Sequence, residues 1–112
     1  LVVNASPLGL NPTDPLPCDV TQLDTGAALV DIVMKNYPTP VLQAVRARGL
    51  HCEPGFEMLI QQAHLYMDFF GFDDIAATLR QDTSSIRQQI YPTKLQDELA
   101  QAQAIFLQPR AA

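Results

Sequence analysis

Ala27-Ala28-Leu29-Val30-Asp31-Ile32-Val33-Met34, followed by Thr39-Pro40-Val41-Leu42, is the stretch on which the fold turns. The first run is apolar and does not alternate, which favours a strand covered on both faces, as in a parallel sheet. The second marks a helix start. Thr39 is placed to cap the exposed amides, Pro40 suits the first helical position, and Val41, Leu42 and Val45 form an inward stripe. Gly49 ends that helix. A strand running into a helix is half of a parallel crossover, and the flanking sequence supplies the rest. Upstream, Leu1-Val2-Val3-Asn4-Ala5 suits a buried strand, broken into a loop by Ser6-Pro7-Leu8-Gly9. Downstream, Leu50-His51-Cys52-Glu53 reads as a short third strand before Pro54-Gly55. Residues 9–20 hold too many chain breakers for a regular element.

From Phe56 to Phe70 the pattern has a helical period. Leu59, Ala63, Tyr66 and Phe70 form one stripe, Met58, Leu65 and Phe69 lie beside it, and Gly71 closes it. Asp73 is placed to cap a shorter helix through Arg80, and Ser84 another running to Tyr91. Thr93 and Gln96 make a capping box for a last helix with Leu95, Leu99, Ile105 and Phe106. Strands alternating with helices predict an α/β fold with parallel pairing. Three strands are few for a sheet buried on both faces, and Leu1-Val2-Val3 would be an unprotected apolar edge, so this reads as the second half of a larger sheet. The chain opens without an initiator Met, as though inside a strand.

Composition narrows the function. At 112 residues, 47% hydrophobic and 17% charged, the chain has room for one packed domain and is not a disordered segment. Seven basic residues against twelve acidic ones, a net charge of −5, argue against a nucleic-acid surface. No apolar stretch reaches membrane-spanning length, and no secretory leader pattern opens the chain. Two cysteines, Cys18 and Cys52, do not make a disulfide framework, so a reducing, cytoplasmic setting is expected.

Three blocks carry a resemblance. Asn4-Ala5-Ser6-Pro7-Leu8-Gly9-Leu10 resembles the strand-end loop N-A-T-P/S-x-G-M of the shikimate dehydrogenase family. Asp31-Ile32-Val33 with Thr39-Pro40-Val41-Leu42 is similar to that family's D-x-x-Y-x-P-x-x-T-P-L-L, and Gly55 to Ala63 to its G-x-x-M-L-x-x-Q-A. The blocks stand in register over residues 1 to about 72, and the tail from about 82 extends beyond them. The resemblance implies the C-terminal half of a Rossmann-type domain in an NADP- or NAD-dependent oxidoreductase, which passes a hydride between nicotinamide and a cyclic hydroxy acid of the shikimate or quinate kind. Residues 1–54 would be the second half of the cofactor domain, 55–81 the helices returning toward a substrate domain absent from this chain, and 82–112 a helical tail. The family's catalytic Lys and Asp, and its Gly-rich pyrophosphate loop, have no counterpart here, so no catalytic residue is assigned and the segment alone is expected to be inactive.

The resemblance assigns Gln62 to a substrate hydroxyl, where spacing alone gives a helix-flank amide facing water or backbone. It sets Gly55 and Met58 beside the nicotinamide, against a loop glycine and a core methionine. Asn4 and Ser6 become cofactor contacts at a strand's carboxyl end, where turn chemistry is the other reading. Met34 stands in the substrate wall where the family typically has Tyr, and Asn36 replaces the following Pro. A thioether cannot donate the tyrosine's hydrogen bond, so the substitution points to a divergent branch. Lys35 could answer a carboxylate. Glu57 replaces a frequent Gly and adds negative charge in the first turn of its helix. Asp31, the lone charge in its run, reads as structural. His51 and Cys52 point to opposite faces of a strand and form no catalytic pair, and His64 has no metal-ligand spacing, so no metal is expected. The expected partners are the hydroxy acid and either a missing N-terminal half, a second chain or a homodimer mate. The rival reading is a non-catalytic half-Rossmann module for interaction or oligomerisation.

Overall fold

The computed structural model describes residues 1–107. The contacts expected of Ile105 and Phe106, and the end of the tail to residue 112, lie outside the described residues. Three strands, β1 (Val2–Asn4), β2 (Ala28–Asp31) and β3 (His51–Pro54), form one sheet in the order β1-β2-β3, both pairs parallel. The α/β class is as the sequence predicts. Register aligns Val2 with Leu29 and Cys52, and Asn4 with Asp31 and Pro54, so these two rows share one face.

Helix α1 (Pro40–Ala47) covers that face. Its buried Val41, Leu42 and Val45 pack with Leu29, Leu50 and Val20, and with the inner sides of Val2, Cys18 and Cys52. The helix stops in a Schellman arrangement: Gly49 adopts φ 71° and donates to Arg46 O, while Leu50 N donates to Val45 O. Pro40 sits at the first helical position as expected. Thr39 occupies the N-cap but makes no capping bond, because its hydroxyl donates to Asp31 instead.

Among the described residues, nothing closes the other face of the sheet. Burial along β2 alternates between half-buried and buried, and Val3, His51 and Glu53 are exposed. This corrects the two-sided burial predicted from the unbroken apolar run. The later helices pack chiefly on one another and leave Val3 and Val30 without full cover.

The single helix expected from Phe56 to Phe70 is two, α2 (Phe56–Ile60) and α3 (Ala63–Phe69), stepped at Gln61-Gln62. Each half follows its own partner. Phe56 and Ile60 of α2 build a second core with Leu95, flanked by Tyr37, Ile86, Ile90 and Tyr91. Helix α3 pairs with α4 (Asp73–Gln81), where Ala76 is buried and Arg80 bonds Asp68. The stripe assigned to Tyr66 and Phe70 is therefore exposed rather than internal. Helices α5 (Ser84–Ile90) and α6 (Thr93–Leu107) supply the rest of the second core. Gln96 does not close a capping box, since its amide donates to Tyr91 O at 2.7 Å. Nor do Asp73 and Ser84 cap α4 and α5: each is the first residue of its helix, behind Phe72 and Thr83.

Candidate functional site

In an open parallel sheet, ligands bind beyond the carboxyl ends of the strands. Here the loops leaving β1 and β2 enclose a shallow, mostly apolar groove of about 400 Å³, lined by Ser6, Pro7, Leu10, Ile32, Val33, Met34 and Lys35. Ser6 and Met34, far apart in sequence, thus share one wall. Lys35 supplies the only cationic side chain among the lining residues.

The groove rests on a buried polar network. Asn4, Asp31 and Thr39 are all buried. Asp31 Oδ1 accepts from Asn4 Nδ2 at 2.9 Å and from Val33 N at 3.1 Å, and Oδ2 accepts from Thr39 Oγ1. Asn4 Nδ2 also donates to Leu8 O at 3.1 Å, while its Oδ1 accepts from Ser6 N at 3.1 Å and Ser6 Oγ at 2.6 Å. All four bonding positions of the Asn4 amide are thereby filled within the protein. Asn4 lies beneath the groove as its brace, with Ser6 bound to it at the rim. Asp31 is structural, as its isolation in an apolar run implied.

Two bracing residues escaped the sequence reading. Asn36, at φ 58°, donates from Nδ2 to Gly9 O at 3.1 Å and Leu10 O at 2.7 Å, tying the β2 loop to the β1 loop. Asparagine tolerates the left-handed region that this reach requires. Asp14 Oδ2 accepts from Gly9 N and Asn11 N, each at 3.0 Å, and these bonds hold its carboxyl below the usual carboxylate range. The sequence marks residues 9–20 only as rich in chain breakers, and the anchoring of Gly9 by Asp14 appears in the fold alone.

Gly55 joins β3 to α2 against the end of β2. A Cβ there would lie 2.6 Å from Ile32 Cα and 2.8 Å from Asp31 O, so the backbones meet at a distance only glycine allows. The close approach is to protein backbone. Met58 and Gln62 follow along α2 and its end, both exposed and outside the groove lining. Gln62 Nε2 donates to Met58 O at 2.8 Å, and Gln62 Oε1 accepts from Tyr66 OH at 3.3 Å.

Glu57 is not a free charge beside these residues. Arg87 Nε lies 2.6 Å from Oε1 and Arg87 Nη2 2.9 Å from Oε2, Tyr91 donates to Oε1, and Gln61 donates to Oε2 at 3.1 Å. The Arg87 guanidinium above all pulls the Glu57 carboxyl down to about 2. His51 turns outward to Glu53 at 3.1 Å, while the Cys52 thiol faces Leu42 O on the α1 side. Among the described residues, no three His, Cys, Asp or Glu side chains converge as a metal site, and no helix is long and apolar enough to cross a membrane.

Curated relatives agree with the resemblance read from the motifs. The chain is 41% identical over 70 residues to a shikimate dehydrogenase (NADP(+)) of Sphingopyxis alaskensis, a match covering 62% of this chain and 26% of that protein. It is 44% identical over 63 residues to the shikimate dehydrogenases (NADP(+)) of Acidiphilium cryptum and Methylocella silvestris, covering 56% of this chain and 23% and 22% of theirs. The chain therefore spans about a quarter of the length of the relatives it matches. No protein-family model and no solved structure matches it.

Proposed function

We propose that this chain forms the nicotinamide-side wall of an NADP-dependent, shikimate-dehydrogenase-like oxidoreductase. The reading rests on the groove at the carboxyl ends of β1 and β2, which Ser6 and Met34 both line. Its relatives' names supply the cofactor and the reaction. The residues present fit one end of a dinucleotide. An apolar floor of Ile32, Val33 and Met34 accepts the face of a flat ring, and Ser6 and Lys35 offer polar atoms at the rim. They do not supply a pyrophosphate cradle. No Gly-rich loop precedes a helix, and the Thr39 hydroxyl at the start of α1 is committed to Asp31. NADP supplies the hydride acceptor when bound. This chain's part is to orient the ring and shield it from water, with Met58 and Gly55 beside the nicotinamide and Gln62 and Met34 toward the substrate. NAD is the alternative cofactor. Proton transfer and pyrophosphate binding belong to residues outside this chain, and the exposed α3–α4 face is offered to that remainder.

Gln62 reaches a substrate hydroxyl by exchanging its present bonds to Met58 O and Tyr66 OH, both at the surface. With Met34 in place of a tyrosine, the site loses one donor toward a substrate carboxylate, and Lys35 is the neighbouring cation that answers it. The test is an assay of the protein as its source produces it, beside the 112-residue chain alone, for NADP-linked oxidation of shikimate and quinate. Activity in the first and none in the second is expected. A natural protein that oxidises neither acid with NADP or NAD overturns the reading in favour of a non-catalytic interaction module, which the exposed apolar α3–α4 face would then serve.

A further inference from the structure

Two side-chain clusters lie outside the groove, and one C-terminal segment closes both. In the first, Arg87 of α5 holds Glu57 of α2 through two hydrogen bonds of 2.6 and 2.9 Å. In the second, Glu98 of α6 accepts from Tyr37 OH at 2.7 Å, and Arg46 donates to the same hydroxyl at 2.6 Å. Three rings bridge the clusters: Tyr37 meets Phe56 with centroids 6.2 Å apart, and Phe56 meets Tyr91 at 5.7 Å. Tyr37 stands three residues after Met34, and Glu57 immediately precedes Met58. The segment thus grips both elements that carry the proposed nicotinamide and substrate contacts. A partly exposed ion pair contributes little to global stability, whereas a two-point guanidinium–carboxylate contact fixes angle as well as distance.

We infer that residues 84–98 act as a strap that sets the spacing between the Met34 loop and α2, with Arg87 as its positioning residue. What is positioned rests on the function proposed above; the mechanical link does not. Misplacing two walls of a site by a fraction of an ångström lowers the chemical step more than it lowers affinity for a cofactor held elsewhere.

The experiment compares the intact protein with its Arg87→Ala and Glu57→Gln variants by amide hydrogen exchange and by steady-state kinetics; the second, near-isosteric change guards against loss of folding in the first. In both variants the amides of Phe56–Ile60 and of Met34–Tyr37 should exchange together about tenfold faster while those of α1 hold. The rate kcat for the hydroxy acid should fall about tenfold in Arg87→Ala, with NADP affinity within about twofold of the parent. Unchanged exchange in α2, or an equal rise in α1, overturns the strap. Coupled exchange in a protein that oxidises no hydroxy acid supports the strap and overturns the catalytic reading.

Discussion

Asp31 shows how one buried carboxylate organises a strand end. It is fully buried, and its three donors come from β1, from its own loop and from the residue before α1. Asp31→Ala would leave one N–H of the Asn4 amide, the Val33 N–H and the Thr39 hydroxyl without an acceptor in a site closed to water, the other Asn4 N–H keeping Leu8 O. Each such group costs about 1–3 kcal/mol, and because the three relax together we expect a total near 3 kcal/mol. Urea unfolding of the variant should show a lower midpoint at an unchanged slope, with Asp31→Asn losing less because one acceptor oxygen survives. An Asp31→Ala midpoint equal to the parent's would contradict the network. The structural role of Asp31 was legible from a lone charge in an apolar run. The role of Asn36 was not, because its acceptors Gly9 and Leu10 lie 27 and 26 residues away and only the fold brings them near.

At the scale of elements, what could be read in advance was what local chemistry decides. The three strands and α1 announced themselves through apolar runs, a proline at the first helical turn and a left-handed glycine at the end. The step between α2 and α3 did not, since neither Gln61 nor Gln62 breaks a helix; the two halves part because Gly55 and Arg87 fix one while α4 holds the other. That docking carries a pH signature. The folded carboxyl of Glu57 titrates at about 2, below its usual 4.5, so the pair's contribution is complete above pH 4.5 and drains as pH falls toward 2. The contact is partly exposed, so the loss should loosen α5 locally rather than unfold the chain. Resonances of Arg87 Nε and the Tyr91 ring should move over that window in the parent protein and stay flat in Glu57→Gln. Equal movement in both proteins would assign the change to another carboxylate.

The whole molecule is flat and open. Its radius of gyration is 16.7 Å, against roughly 13 Å for a compact 100-residue domain. One sheet face lacks full cover, and the α3–α4 hairpin presents Leu65, Tyr66, Phe69, Phe70, Phe72 and Ile75 at the surface, with Phe69 84% exposed. An apolar run states what a strand can bury, and a helical stripe what a helix can bury; neither states whether the covering element belongs to the same chain. For that reason the fold class was legible in the sequence while the one-sidedness of the sheet was not. The assignment of Gln62, Gly55 and Met58 to a site rests on the motif resemblance, because each looks ordinary by spacing alone, and none of the three lines the groove.

If the strand-end groove and α2 face a nicotinamide ring, the chain's three methionines report it directly. Met34 lines the groove, Met58 stands on α2, and Met67 on α3 serves as an internal control. In the intact protein labelled at its methionine methyl carbons, titration with NADP should shift the Met34 and Met58 resonances saturably and leave Met67 in place, and adding shikimate should shift Met34 further. Met34 and Met58 resonances that stay fixed while NADP binds elsewhere in the protein would rule out a nicotinamide at this groove.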